Sequence, residues 1–164
     1  MKSSLRRSLG LPAVVVFFAA VGCSTSDDTA GPAVPTPSGA QAAKCRALHQ
    51  ALPGTVDGRK RRGTDPDSDL TAAWGDGESI ALRCGVPKPA LLQRNPAADS
   101  VDINGIEWLP EKQPDGSVRC TTVKREAWVE VTLPARVVGG AGDISALTDL
   151  ADAVRSTVPY GIIG

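Results

Sequence analysis

The chain has few of the residues on which metal and acid–base sites usually depend. It contains one histidine, one methionine and four cysteines among 164 residues. A single histidine leaves no set of zinc ligands, so we expect no zinc site and no cofactor. His49 follows Leu48 in a segment with helical spacing, which favours a solvated histidine over a catalytic partner of Cys120.

The chain also has no excess of positive or of negative charge. The chain has 18 Lys and Arg residues against 18 Asp and Glu residues, a net charge of zero. Because proteins that bind nucleic acid need a basic surface, we expect no nucleic-acid partner. Asp65, Asp67 and Asp69 resemble the start of a calcium loop, but Leu70 stands where that loop needs a glycine. We therefore expect no metal site.

Long apolar runs are limited to the N-terminus. Lys2, Arg6 and Arg7 precede an apolar run from residue 9 to residue 21, and Cys23 follows the small residue Gly22. This order predicts a lipoprotein signal peptide over residues 1–22, with fatty acyl chains such as palmitate joined to Cys23. Ordinary secretion is the alternative, and the Arg6–Arg7 pair leaves twin-arginine export open.

The residues after Cys23 predict a tether followed by one domain. Residues 23–39 are rich in Ser, Thr, Pro, Gly and Ala and have almost no apolar bulk, so we expect a flexible linker. Residues 40–164 have the size of a single domain. The expected location is the outer face of the cytoplasmic membrane, where the lipid is the anchor.

Apolar spacing predicts the fold class. Period-two alternation predicts strands at residues 79–84 and 127–133, and spacing of three to four residues predicts helices after residue 40 and after Asp143. The Asn104–Gly105 pair favours a hairpin, and one strand with a bulge at Gly105 is the alternative. We expect an α+β domain, in which two amphipathic helices pack on one face of an antiparallel sheet of about four or five strands.

The cysteines of the domain are odd in number. Cys45 lies on the apolar face of the first predicted helix, and Cys84 lies on the apolar face of a predicted strand. We expect a disulfide between them, while the two pairings that involve Cys120 remain open.

Two surfaces are candidates for binding. Trp128, Glu130 and Thr132 alternate with the apolar positions of the last predicted strand, so they lie together on its other face. The basic run Arg59, Lys60, Arg61 and Arg62 offers a second surface, which anionic lipids or wall polymers would attract. Packing of Trp128 under a loop, and a solvated basic edge strand, are the simpler interpretations.

Several segments resemble one family. These are Ala73–Gly75, Leu82–Pro89, Asn104–Gly105 with Trp108, Thr121–Thr122 with Arg125, and Val129–Val131 with Pro134. Together they resemble domain of unknown function 3515 over about residues 41–158. The resemblance implies a small exported or membrane-attached protein of actinobacteria with no established activity, and it transfers no functional residues.

These observations favour a lipid-anchored envelope protein that binds rather than catalyses. Its expected role is a binding or accessory module for envelope proteins or wall polymers. The alternatives are an envelope hydrolase that acts through Cys120 and a sensor that binds a small ligand on an exposed sheet face.

Overall fold

A computed structural model describes residues 31–161 of the chain. Over this range, eight strands form one antiparallel sheet with the order β1-β2-β3-β4-β8-β7-β6-β5. The strands are β1 Thr55–Val56, β2 Arg59–Arg62, β3 Thr71–Trp74, β4 Ile80–Cys84, β5 Val101–Ile103, β6 Ile106–Lys112, β7 Val118–Thr122 and β8 Val129–Leu133. The helices are α1 Gly39–Ala51, α2 Ala90–Arg94, α3 Ala135–Val138 and α4 Thr148–Thr157, with a 3-10 turn at Ser145–Leu147.

The predicted sheet of four or five strands with two helices on one face is wrong. The described part of the chain is mostly β, with eight strands and four short helices. All four residues of β3 are buried, so that strand lacks the alternation that marks a half-buried strand. The helices α2 and α3 have five and four residues, too few to show a helical period.

Alternation in the central strands divides the sheet into two faces. Ile80, Leu82 and Cys84 of β4 join the main hydrophobic core, together with residues of α1 and α4. The residues between them, Ala81 and Arg83, point the other way because successive side chains of a strand alternate. We call this opposite side the second face; its central members are Ala81, Arg83, Arg119, Glu130 and Thr132.

The disulfide between Cys45 and Cys84 is confirmed. The two Cα atoms are 5.4 Å apart, and the bond joins α1 to β4. Cys120 is a buried free thiol in β7.

The hairpin at Asn104–Gly105 is also confirmed. Its two central residues have φ values of 52° and 79°, and β5 pairs with β6 on either side of them. Two positive φ values in succession are what a type I′ turn requires, and Asn followed by Gly adopts them at the lowest cost.

The described end of the predicted linker lies against the domain. The Gly31 N–H donates to the carbonyl of Asp65 at 3.0 Å. Pro37 lies against Gly85, where an added Cβ would come within 2.5 Å of the proline Cβ. The predicted signal peptide, Cys23 and the first part of the predicted linker lie outside the described residues. Within residues 31–161, no helix has the length and apolar character needed to cross a membrane.

Candidate functional site

An open cleft of about 610 Å³ lies on the second face of the sheet. Its floor comes from β4, β8 and β7, and its walls come from the segment before α1 and from two turns between strands. The floor residues are Ala81, Arg83, Arg119, Glu130 and Thr132; the walls are residues 31–33, 77–79, 113–115 and 117. The cleft is thus bounded both by the sheet and by the end of the N-terminal linker.

Strand register explains why the floor is depressed. Ala81 is the cross-strand partner of Thr132, and Thr132 is the partner of Arg119. Directly paired residues have their Cβ atoms about 5 Å apart. Two short side chains therefore lie beside a long one, and this difference in length leaves an open space above Ala81 and Thr132.

A chain of ion pairs crosses this floor. Nε and Nη2 of Arg83 lie 2.9 Å and 2.7 Å from Oε1 of Glu130. Nε of Arg119 lies 3.8 Å from Oε2 of Glu130, and its Nη2 lies 3.4 Å from Oε1 of Glu111. Glu130 is only 8% exposed, and burial of a carboxylate costs free energy unless the group is paired and hydrogen-bonded. Glu130 therefore holds Arg83, and more weakly Arg119, in place.

Arg62 adds a third guanidinium to the cleft. It is exposed at the end of β2, where its Nη2 lies 3.4 Å from Oγ of Ser79 and its Nη1 lies 3.5 Å from the carbonyl of Gly63. Among the described residues it forms no ion pair with a carboxylate. Its positive charge therefore stays available to a ligand.

The structure brings together three of the predicted binding residues and separates the others. Arg62, Glu130 and Thr132 line the same cleft. Trp128 is half-buried and lines two smaller grooves, both of which also contain Lys88. The structure thus divides the two predicted surfaces differently: one residue of the basic run joins Glu130 and Thr132 in the cleft, and Trp128 lies in other grooves.

The other three residues of the basic run, Arg59, Lys60 and Arg61, do not line the cleft. The Arg61 guanidinium donates to the carbonyls of His49 and Leu52, at 3.1 Å and 3.4 Å, and so ties β2 to the end of α1. Burial lowers the pKa of Arg61. Arg59 pairs with Asp57 at 3.5 Å, and Lys60 is exposed. The four residues therefore do not form one continuous basic surface.

Sequence reasoning missed Arg83 and Arg119 as site residues. Each alternates with apolar neighbours in its strand, which places it on the second face. The alternation alone does not show that β8 lies between β4 and β7, and only this strand order puts Glu130 between the two arginines.

Cys120 lies away from solvent in β7. Its exposed fraction is 0%, and desolvation raises the pKa of its thiol to about 12. The thiolate is the nucleophilic form of cysteine, so this burial argues against Cys120 as a catalytic nucleophile. Over residues 31–161, no group of three or more His, Cys, Asp or Glu residues is placed to hold a metal ion.

Comparison with known proteins identifies a family. A family model described as "Protein of unknown function (DUF3515)" matches residues 8–162. No curated protein and no solved structure matches the chain.

Proposed function

Because the chain belongs to the DUF3515 family, whose function is unknown, we propose a role that rests on its own residues. The protein is a lipid-anchored binding module of an actinobacterial cell envelope and catalyses no reaction. The observation that carries this proposal is the cleft, in which Glu130 holds two arginines over a floor of short side chains.

The volume of the cleft and the fixed position of its Arg83 side chain support binding. Its volume of about 610 Å³ falls within the range of roughly 300–1,000 Å³ that small-molecule sites occupy. Arg83 is held by two contacts to one carboxylate oxygen. A side chain that is already ordered loses less conformational entropy when a ligand binds.

The alternative of a hydrolase acting through Cys120 has little support. The only candidate nucleophile that the sequence offered is buried, and its pKa is raised to about 12. The sensor alternative uses the same cleft and differs only in the response that ligand binding would trigger.

The anchor follows from the N-terminal sequence. Cys23 lies eight residues before Gly31, which is in the cleft wall. Eight residues span at most about 28 Å, whatever their conformation. A lipid on Cys23 would therefore keep this wall of the cleft within about 28 Å of the bilayer surface.

The anchor is tested by Cys23→Ser in the full chain. We expect the wild type to fractionate with membranes and to carry acyl mass on its first residue, and we expect the variant to lack that mass. Cys120→Ser is the matched control and should keep the acyl group. An unmodified wild-type N-terminus would overturn the anchoring.

Binding at the cleft is tested by photo-crosslinking in intact cells. A crosslinking residue replaces Gln113 in the cleft wall, or Arg46 on the exposed side of α1 as control. We expect a reproducible adduct, identified by mass spectrometry, at position 113 and none at position 46. Absence of an adduct at both positions contradicts the binding function.

A further inference from the structure

We infer that the cleft is an oxyanion site, which binds a phosphate group above Ala81 and Thr132 between Arg62, Arg83 and Arg119. This inference rests on the proposed binding function and adds the class of ligand. Its evidence is the register of the strands and the unused donors of the arginines.

Strand register places five cross-strand partners in one row across the sheet, and an arginine stands at each end of that row. Arg62 pairs with Ala73, Ala73 with Ala81, Ala81 with Thr132, and Thr132 with Arg119. Each step crosses one strand spacing of about 4.8 Å. Three short side chains thus separate two long cationic ones. Ala73 is fully buried and does not line the cleft, so a small anion would lie above Ala81 and Thr132, with Arg119 beside it and Arg62 on the other side.

Arg83 lies beside this row and keeps a donor for a ligand. It pairs with Glu130 in the neighbouring row, and that pairing uses its Nε and Nη2. Arg119 uses its Nη2 with Glu111. Among the described residues, Nη1 of Arg83 and Nη1 of Arg119 have no hydrogen-bond acceptor. The planar guanidinium fork matches phosphate oxygens well.

The charges of the cleft are paired unevenly. Glu130 and Glu111 offset two of the three arginines, and Arg62 has no carboxylate partner among the described residues. Of the other acidic residues of the cleft, Glu78 pairs with Arg136, and Asp115 accepts from the N–H and the Oγ of Ser117. Asp115 has no cationic partner among the described residues, so the charged residues that line the cleft sum to zero, and the inference rests on the placement and free donors of the arginines.

Two sources supply a phosphate group at this position. One is the headgroup of an anionic membrane lipid, because the cleft wall is joined to Cys23 through only eight residues. The other is a free small phosphate. Both present anionic phosphate oxygens to the arginines, so the experiment has one arm for each.

The first arm titrates the full chain in nonionic detergent with inorganic phosphate at constant ionic strength. Binding is followed through the Nε–H resonances of the arginines by NMR. We expect saturable shifts of Arg83 and Arg119. Arg62→Ala should weaken the affinity about tenfold, the loss of one charge-assisted hydrogen bond of roughly 1.4 kcal/mol. Arg46→Ala removes an exposed arginine outside the cleft and should change nothing.

The second arm uses the chain from residue 23 onward with Cys23→Ser, so that neither an acyl group nor the apolar run of residues 9–21 adds to membrane affinity. It is floated with phosphatidylglycerol vesicles and with phosphatidylcholine vesicles. Flotation with the first only, abolished by Arg62→Ala, identifies the lipid headgroup as the source. Saturable phosphate binding without flotation identifies the free ligand.

The proposed oxyanion site is overturned if the protein shows neither saturable phosphate binding nor flotation. It is also overturned if Arg62→Ala and Arg46→Ala have equal effects. A crosslinked adduct at position 113 together with that outcome would leave the binding function in place with a different ligand. The two failures are therefore distinguishable.

Discussion

Arg83 and Glu130 are cross-strand partners in β4 and β8, and two nitrogens of the arginine contact one oxygen of the carboxylate at 2.9 Å and 2.7 Å. Arg119 approaches the other oxygen at 3.8 Å from the adjacent strand β7. One carboxylate thus connects three neighbouring strands on the second face. Its contacts stabilise the sheet and also orient the groups that line the cleft.

Glu130→Ala should lower the free energy of unfolding by about 2 kcal/mol, the cost of losing charged hydrogen bonds at a nearly buried position. Urea unfolding of the two proteins measures the difference. Glu78→Ala is the control, because Glu78 forms an exposed ion pair with Arg136 at 3.7 Å; it should cost less than about 0.5 kcal/mol. Equal effects of the two changes would contradict a structural role for Glu130.

Reduction of the Cys45–Cys84 disulfide should destabilise the domain. The bridge closes a loop with a sequence separation of 39, which the chain-entropy model relates to about 4 kcal/mol of stability. Urea unfolding with and without dithiothreitol measures this difference. Cys120→Ala should show the same drop on reduction, since Cys120 takes no part in the bridge. A reductant-insensitive midpoint would show that the disulfide contributes little.

The Cys120 thiol should resist alkylation in the native protein. With a pKa of about 12, only about one thiol in ten thousand is ionised at pH 8, and burial also blocks the reagent. Iodoacetamide labelling, followed by mass spectrometry, should therefore be slow between pH 7 and pH 9 and become rapid in urea. Native labelling as fast as in urea would contradict the burial and restore Cys120 as a candidate nucleophile.

Gly105→Ala should destabilise the β5–β6 hairpin. The residue has a φ of 79°, and the left-handed region costs a residue with a Cβ about 1 kcal/mol. Gly140→Ala is the matched control, because Gly140 has no positive φ and an added Cβ there meets no atom within 4 Å. Urea unfolding should show a loss of about 1 kcal/mol for the first change and under about 0.5 kcal/mol for the second. Equal losses would contradict the turn conformation.

Local patterns predicted those parts of the fold in which a residue type strongly prefers one backbone conformation or one environment. Asn104–Gly105 predicted its hairpin because few residues adopt two positive φ values in succession. Cys45 and Cys84 predicted their bond because each lies on the apolar face of its own element. By contrast, β3 gave no strand pattern because both of its faces are buried. The short hairpin of β1 and β2, which turns at Asp57 and Gly58, gave none because it lies in a polar, basic segment without apolar alternation.

The sequence by itself determined the alternation that places Glu130 and Thr132 opposite the core and the resemblance to the family, and it favoured the Asn104–Gly105 turn and the Cys45–Cys84 pairing over their alternatives. The turn and the alternation depend on residues close together in the chain, and the pairing was favoured because each cysteine lies on the apolar face of its own local element, although the two are 39 residues apart. Only the tertiary structure decided the eight-stranded order and the cleft. Arg62, Arg83, Arg119 and Glu130 come from four strands, and they meet because hydrogen bonding between distant segments brings those strands into one sheet.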